Sequence, residues 1–318
     1  MDQRRLGESG LAVSAVGLGC NNLGRPGTAT ETLTGARAVI DAALDSGITF
    51  FDVADAYGSP RGRSEELLGQ SLSGRRDLAV IATKFGMDMQ GTNGPDFGAR
   101  GSRRYVRRAV ESSLRRLGTD WIDLYQLHRP DPLTPLEETL SVLDDLVREG
   151  KIRYVGHCNL AGWQVADATW TANSAGLTAP VSSQHHYSLL SREVEREVVP
   201  AVQRFGLGLL PYFPLANGLL TGKYRRDQIP PVDSRLAGRA QLLADAPWDR
   251  IEKLRIFAEQ RGITMSTVAL GWLAAQAPVA SVIAGATTPE QVLANAQAAN
   301  WIPGADDLTT LNSICPAA

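Results

Sequence analysis

Residues 103–127 read RRYVRRAVESSLRRLGTDWIDLYQL. In the first part, Val106, Val110, Leu114 and Leu117 recur at intervals of four and three, and the basic residues fall largely between them. This is the period of an amphipathic outer helix, Arg103 to Leu117, with one packed face and one solvated face. Gly118 interrupts the period and marks the helix stop. Trp121 to Leu127 follows as a short, apolar, β-rich run, too short for a second helix. A helix feeding directly into a strand is half of a βα repeat.

The same alternation recurs in both directions along the chain. Upstream, candidate strands are Val16 to Gly19, Thr49 to Val53 and Leu78 to Thr83; downstream they are Ile152 to Gly156, Val181 to Gln184, Gly208 to Tyr212 and Val279 to Ile283. With Trp121 to Leu127 these make eight. Thr34 to Asp45 predicts a helix ending before Gly47. Strands separated by helices, without alternating polarity, argue for a parallel sheet covered by helices. Eight such units with no break in composition favour an α/β fold of one closed (β/α)8 TIM barrel spanning 1–318. An open doubly wound sheet is the competitor, but GLGCNNLG after the first strand lacks the GxGxxG spacing that such a sheet uses for dinucleotides. The opening RRLGESGLAVS reads as an N-terminal β-hairpin covering the bottom of the barrel. Two polar stretches, residues 88–101 and 223–239, read as exposed loops near the mouth.

Composition narrows the function classes. With 32 basic against 34 acidic side chains the net charge is −2, so a basic nucleic-acid surface is not expected. No apolar run reaches membrane-spanning length, and MDQRRLGESG has none of the apolar core of a signal peptide. Cys20, Cys158 and Cys315 form neither a CxxC nor a disulfide framework, as expected for a cytoplasmic protein. His185 and His186 are adjacent but do not supply three converging ligands, so no metal is expected.

In a β/α barrel the C-terminal strand ends converge on the active face, where the loops set the chemistry. That rule selects Asp52, Tyr57, Lys84 and His128. Alone, each has a plain structural reading: a loop cap, a packed ring, a solvated ammonium, a core hydrogen bond. Together they suit carbonyl reduction. Tyr57 exchanges a proton with a substrate oxygen, although an unperturbed tyrosine pKa of about 10 is high for that task. A lysine ammonium beside it favours the phenolate, Asp52 orients the lysine, and His128 donates to the same oxygen. The hydride would come from a nicotinamide.

The segments FFDVADAY, IATKFG, DLYQLHRPD, VGHCN, SSQHHYSLL, PYFPLANGLLTGKY and IAGATTPEQVLANAQA, in this order, resemble the aldo-keto reductase family over essentially the whole chain. The likeness is greatest to its bacterial and potassium-channel beta-subunit-like branch. By this resemblance Asp52, Tyr57, Lys84 and His128 are the catalytic tetrad. It also implies an NADPH/NADP+ site. Asn159 and Gln184 would hold the nicotinamide carboxamide, with Cys158 where many relatives have serine, and Tyr212 would stack on the ring. Phe213, Pro214, Leu215, Ala216, Asn217 and Gly218 would follow the pyrophosphate. Lys223 and Arg235 would reach the phosphates, and Gly285, Thr287, Gln291 and Asn295 the adenosine end. Thr288 and Pro289 read as the cap and first residue of a helix whose opening amides face phosphate. Ala286 and Ala294 stand where many relatives carry charge, so NADH use is also expected to be open.

The expected substrate is a small-molecule aldehyde or ketone, with Leu23, Phe85, Trp163 and the 88–101 loop as candidate pocket walls. Two other functions fit the same residues: a nicotinamide-binding regulatory subunit with little turnover, and a barrel lyase or isomerase. Oligomeric state is not legible.

Overall fold

The computed structural model describes residues 1–231 and 234–317. Its strands are β1 (Gln3–Arg5), β2 (Ala12–Ser14), β3 (Val16–Gly19), β4 (Phe50–Asp52), β5 (Val80–Phe85), β6 (Ile122–Leu127), β7 (Ile152–Cys158), β8 (Ser182–His186), β9 (Gly208–Tyr212) and β10 (Val282–Gly285). The α-helices are α1 (Leu33–Asp45), α2 (Arg63–Ser71), α3 (Arg103–Leu117), α4 (Leu136–Arg148), α5 (Gly162–Ser174), α6 (Val198–Arg204), α7 (Ala240–Ala244), α8 (Trp248–Gln260), α9 (Met265–Ala274), α10 (Pro289–Ala298) and α11 (Ala305–Ile314). Strands β3 to β10 pair in parallel and close on themselves, β10 lying between β9 and β3. This is the (β/α)8 barrel expected from the alternation.

The wall of the barrel separates two packing environments, and the period of two along each strand assigns every side chain to one of them. Phe51, Ile81, Tyr125 and Leu209 point outward and pack with Val39, Leu67 and Val106 of the helices. Phe50, Ala82, Leu124, Leu210 and Ile283 point inward and pack with one another. Leu6 and Val13 of the hairpin join this inner cluster, so the hairpin plugs the end at which the strands begin. Its tip is seated closely: a Cβ on Gly7 would fall 2.3 Å from the Gly206 carbonyl oxygen just before β9. Toward the other end the inward positions change character, to Asp52, Lys84, Gln126 and Gln184. An apolar floor thus lies under a polar mouth.

The stop at Gly118 and the Thr288–Pro289 start are realised as read, and α3 has a side-chain cap of its own. Ser102 accepts a hydrogen bond from the Tyr105 amide at the start of α3, and Gly118 ends that helix in the left-handed conformation. Thr288 accepts from the Gln291 amide, with Pro289 as the first residue of α10.

Two strands are displaced from their expected positions. Residues 76–78 form a short turn instead of the start of β5, because the Arg76 guanidinium bonds the Ala79 carbonyl at 2.6 Å and Asp123 at 2.6 Å. The strand therefore runs on to Phe85 and contains Lys84, which the sequence places just beyond it. Val279 makes only an isolated bridge to Leu209, and β10 starts at Val282, which sets Gly285 opposite Gly19. Two small residues face each other at the mouth. Val232 and Asp233, within the expected 223–239 loop, lie outside the described residues. Among the described residues, no helix is long and apolar enough to cross a membrane.

Candidate active site

The inward parity of β4 and β5 brings Asp52 and Lys84 side by side under the mouth. Lys84 is fully buried, and its ammonium has three neighbours: Asp52 Oδ2 at 2.7 Å, the Val53 carbonyl at 2.9 Å and Tyr57 Oη at 3.5 Å. Three donors therefore meet three oxygens. The second carboxylate oxygen of Asp52 accepts from Gln184 Nε2 at 2.8 Å. Tyr57 leaves β4 on a tight turn, its amide bonded to the Ala54 carbonyl. Its ring meets that of His128 edge-on, with centroids 5.7 Å apart. His128 follows β6, fixed by a bond from its amide to the Phe85 carbonyl.

Electrostatics correct one expectation. Burial pushes the Tyr57 hydroxyl up to about 12; the Lys84 charge opposes this, and Asp52 adds to it. Lysine alone does not make a phenolate here, because burial of the hydroxyl outweighs the Lys84 charge and Asp52 adds to the burial. For Lys84 itself, burial favours loss of the proton, but Asp52 and then Tyr57 overcome this and hold the ammonium above the usual lysine range. Burial, followed by the charges of Lys84 and Arg129, keeps His128 well below the usual histidine range, hence neutral. The three groups form two neutral hydrogen-bond donors above a permanent cation.

The amides flanking this centre are partly engaged. Asn159 follows β7 at φ +60°, an uncommon conformation for a residue with a side chain. Its Nδ2 donates to the His128 carbonyl at 3.0 Å, and its Oδ1 accepts from the Tyr212 hydroxyl at 2.9 Å. Phe213, Ala216 and Asn217 after β9 also have positive φ. Such clustering of strained backbone at strand ends is typical of ligand sites. Cys158 turns into the barrel, where its thiol faces Gln126 Oε1 at 3.8 Å, and burial pushes its pKa up.

The sequence profile of the Aldo/keto reductase family matches residues 15–314. The chain belongs to the aldo/keto reductase family. It is accordingly one of the NADP(H)-dependent aldo-keto reductase enzymes, whose general activity is oxidoreductase chemistry. It is 36% identical to a probable voltage-gated potassium channel subunit beta of Oryza sativa subsp. japonica, over 95% of this chain and 92% of the relative. It is 36% identical to the uncharacterized oxidoreductase YrpG of Bacillus subtilis, over 99% and 96%. Identity to the L-glyceraldehyde 3-phosphate reductase of Escherichia coli K12 is also 36%, over 94% and 88%.

In this aldo/keto reductase a second, basic region adjoins the tetrad. The Arg235 guanidinium lies 5.0 Å over the Phe213 ring, and its Nε is buried without a hydrogen-bond partner among the described residues. Burial lowers its pKa, as do the charges of Arg25 and Arg239. Lys223 Nζ lies 3.6 Å from where a Cβ on Gly218 would sit. Cations gathered around an unsatisfied donor are a fitting place for a phosphate. At the strand-ten end, Gln291 Oε1 accepts from the Thr287 amide and hydroxyl, and Asn295 Nδ2 donates to the Gly285 carbonyl at 3.4 Å.

Several participants were not legible in the sequence. Arg25 joins Arg235 and its sequence neighbour Arg239 only through the fold, and Asn22 reaches the Ala286 carbonyl from the loop after β3. The bond from Gln184 to Asp52 could have been anticipated from inward parity on β4 and β8. The same parity corrects the wall assignment of Phe85, and burial corrects that of Leu23. Phe85 must point away from the mouth if Lys84 points in, and it stacks on Tyr125 beneath the helices. Leu23 is likewise buried in the outer core, while Trp163 is exposed at the start of α5. Among the described residues, no group of three His, Cys, Asp or Glu side chains is arranged to hold a metal ion.

Proposed function

We propose that this protein is an NADPH-dependent oxidoreductase that reduces an aldehyde or ketone to an alcohol, with Tyr57 as the general acid. The observation that carries this reading is the buried Lys84 ammonium, held by Asp52 and Val53 and directed at Tyr57 Oη at 3.5 Å. NADPH, when bound, supplies the hydride that adds to the carbonyl carbon. The chain's own residues manage the oxygen. Neutral Tyr57 and neutral His128 donate to it, and as negative charge grows the Tyr57 proton crosses to complete the alcohol. The Lys84 cation stabilises the phenolate that remains, without moving its own proton. A buried, fixed cation is effective here because no solvent must reorganise around it.

The basic region supports the phosphate-bearing cofactor. Arg235 and Lys223, joined by Arg25 and Arg239, would take its phosphates beside the stretch Phe213 to Gly218. Tyr212 would stack on the nicotinamide. Gln184 retains its amide oxygen and Asn159 a second amide hydrogen for the carboxamide, next to Cys158. Gly285, Thr287, Gln291 and Asn295 would hold the adenosine end. Use of NADH is compatible with Ala286 and Ala294. Cys20, Cys158 and Cys315 are all free thiols, which suits a reducing, cytoplasmic setting.

Tyr57→Phe tests the reading, since it removes the acid and keeps the ring. The expected result is loss of carbonyl reduction by at least about a hundredfold, with NADPH affinity changed far less. Unchanged turnover contradicts the mechanism. A second reading is favoured by the relatives named as potassium channel beta subunits: a nicotinamide-binding regulatory protein. Stable NADPH binding without turnover on any carbonyl, together with a specific protein partner, would select it.

A further inference from the structure

Behind the tetrad, between the barrel wall and the helices, lies a polar network that the chemistry above does not use. Thr83 Oγ1 donates to Glu65 Oε1 at 2.6 Å, and Arg116 Nε donates to Glu65 Oε2 at 2.7 Å. Arg116 Nη1 donates to Asn93 Oδ1 at 3.2 Å, and Asn93 Nδ2 donates to Asp55 Oδ2 at 3.1 Å. Asp55, Glu65 and Thr83 are fully buried, and Asn93 is 4% exposed. Thr83 adjoins Lys84, and Asp55 lies two residues before Tyr57. Each end of this chain of bonds is therefore tied to a tetrad residue through the backbone. In the middle stands a residue of the otherwise largely exposed 88–101 loop at the mouth.

We propose that Asn93 is a positioning residue that latches the 88–101 loop to the Asp55–Tyr57 turn, so that ordering the loop and placing the Tyr57 hydroxyl over Lys84 are one event. The inference rests on the reading of Tyr57 as the proton donor. Asn93 is the sole side-chain partner of Asp55 among the described residues, and Asp55 Oδ1 has none. The Asp55 amide also donates to the Lys84 carbonyl at 3.2 Å, so movement of Asp55 is felt on both sides of the tetrad. The groups facing Asp55 are Glu65 of α2, Arg116 and Tyr105 of α3, and Tyr125 of β6. Burial and then Glu65 raise the Asp55 carboxyl well above the usual range, against the pull of Arg116 and Asn93. Asn93 and Arg116 thus hold Asp55 and Glu65 apart in one buried network.

Amide hydrogen exchange on the native full-length protein tests the latch without any variant. Residues 88–94 and 54–58 should open with the same free energy and the same denaturant dependence. Asn93→Ala should accelerate exchange in both segments by roughly tenfold or more and leave β8 and β9 unchanged. It should lower kcat by about tenfold, with NADPH affinity moved by less than about threefold. Asn93→Asp separates positioning from simple packing. At low pH the introduced carboxyl shares a proton with Asp55 and kcat recovers toward the parent value. As pH rises it ionises, drawn by Arg116 and opposed by Asp55 and Glu65, can no longer donate to Asp55 Oδ2, and kcat falls to the Asn93→Ala level. Independent opening of the two segments overturns the proposal, as does loss of loop protection with kcat and residues 54–58 untouched. Should the parent protein show no carbonyl turnover, the functional reading fails on its own, and concerted exchange still decides whether the loop and turn are latched.

Discussion

Tyr57 is asked to give up a proton from a hydroxyl that burial has raised to about 12, and the sign of that shift makes a prediction. Reduction needs the protonated form. Its kcat/KM should therefore stay level through neutral and mildly alkaline pH and fall only as the pH approaches the raised value. Alcohol oxidation needs the phenolate and should rise over the same range. His128, kept neutral by burial, should add no acid limb near its ordinary pKa of about 6.5. A pH–rate profile in each direction checks this, and a decline in reduction already near neutrality would contradict the acid assigned. Gln184 allows a separate test at the same scale. If it served only a cofactor, Gln184→Leu would leave the free protein untouched. Because it donates to Asp52 Oδ1 at 2.8 Å, loss of that bond to a buried carboxylate should destabilise the cofactor-free protein by about 1–3 kcal/mol in denaturant unfolding.

Among the elements, α10 follows directly on β10 and begins with a side-chain cap. Thr288→Ala removes the side-chain cap and should cost about 1 kcal/mol, a fall in Tm of about 2 °C. The helix signals Thr288, Pro289 and Gly118 are local, a few residues acting on their own turn, and they were legible in sequence for that reason. Strands were legible as apolar runs, but their ends were not. The start of β5 is set by Arg76 bonding to Asp123 across the wall, and β10 is set by its register on β3. Both are long-range contacts that no local pattern encodes. The displacement of β5 carries a lesson for the site: once Lys84 is inside the strand, alternation alone sends Phe85 to the helices and removes it from the pocket.

For the molecule as a whole, the barrel has an apolar floor and a polar mouth, and the hairpin completes the floor. Leu6 is fully buried in the inner cluster with Phe50, Leu124 and Leu210. Leu6→Ala should cost about 2–5 kcal/mol in equilibrium unfolding, although the residue is far from the tetrad. Asp52, Lys84 and His128 could be picked out as candidates because each sits at or just past the end of a recognisable strand, and Tyr57 because it lies in the loop that follows the second. The approach of Arg25 to Arg235 could not: the two lie far apart in the chain and come together only when the barrel closes. The central claim joins these two regions into one nicotinamide-dependent carbonyl reductase. Titration of the protein with NADPH and NADH by cofactor fluorescence, followed in the same cuvette by a panel of aldehydes and ketones, tests it most directly. Tighter NADPH binding, then carbonyl-dependent loss of the reduced cofactor, is the expected result; failure to bind either nicotinamide would contradict the account at its root.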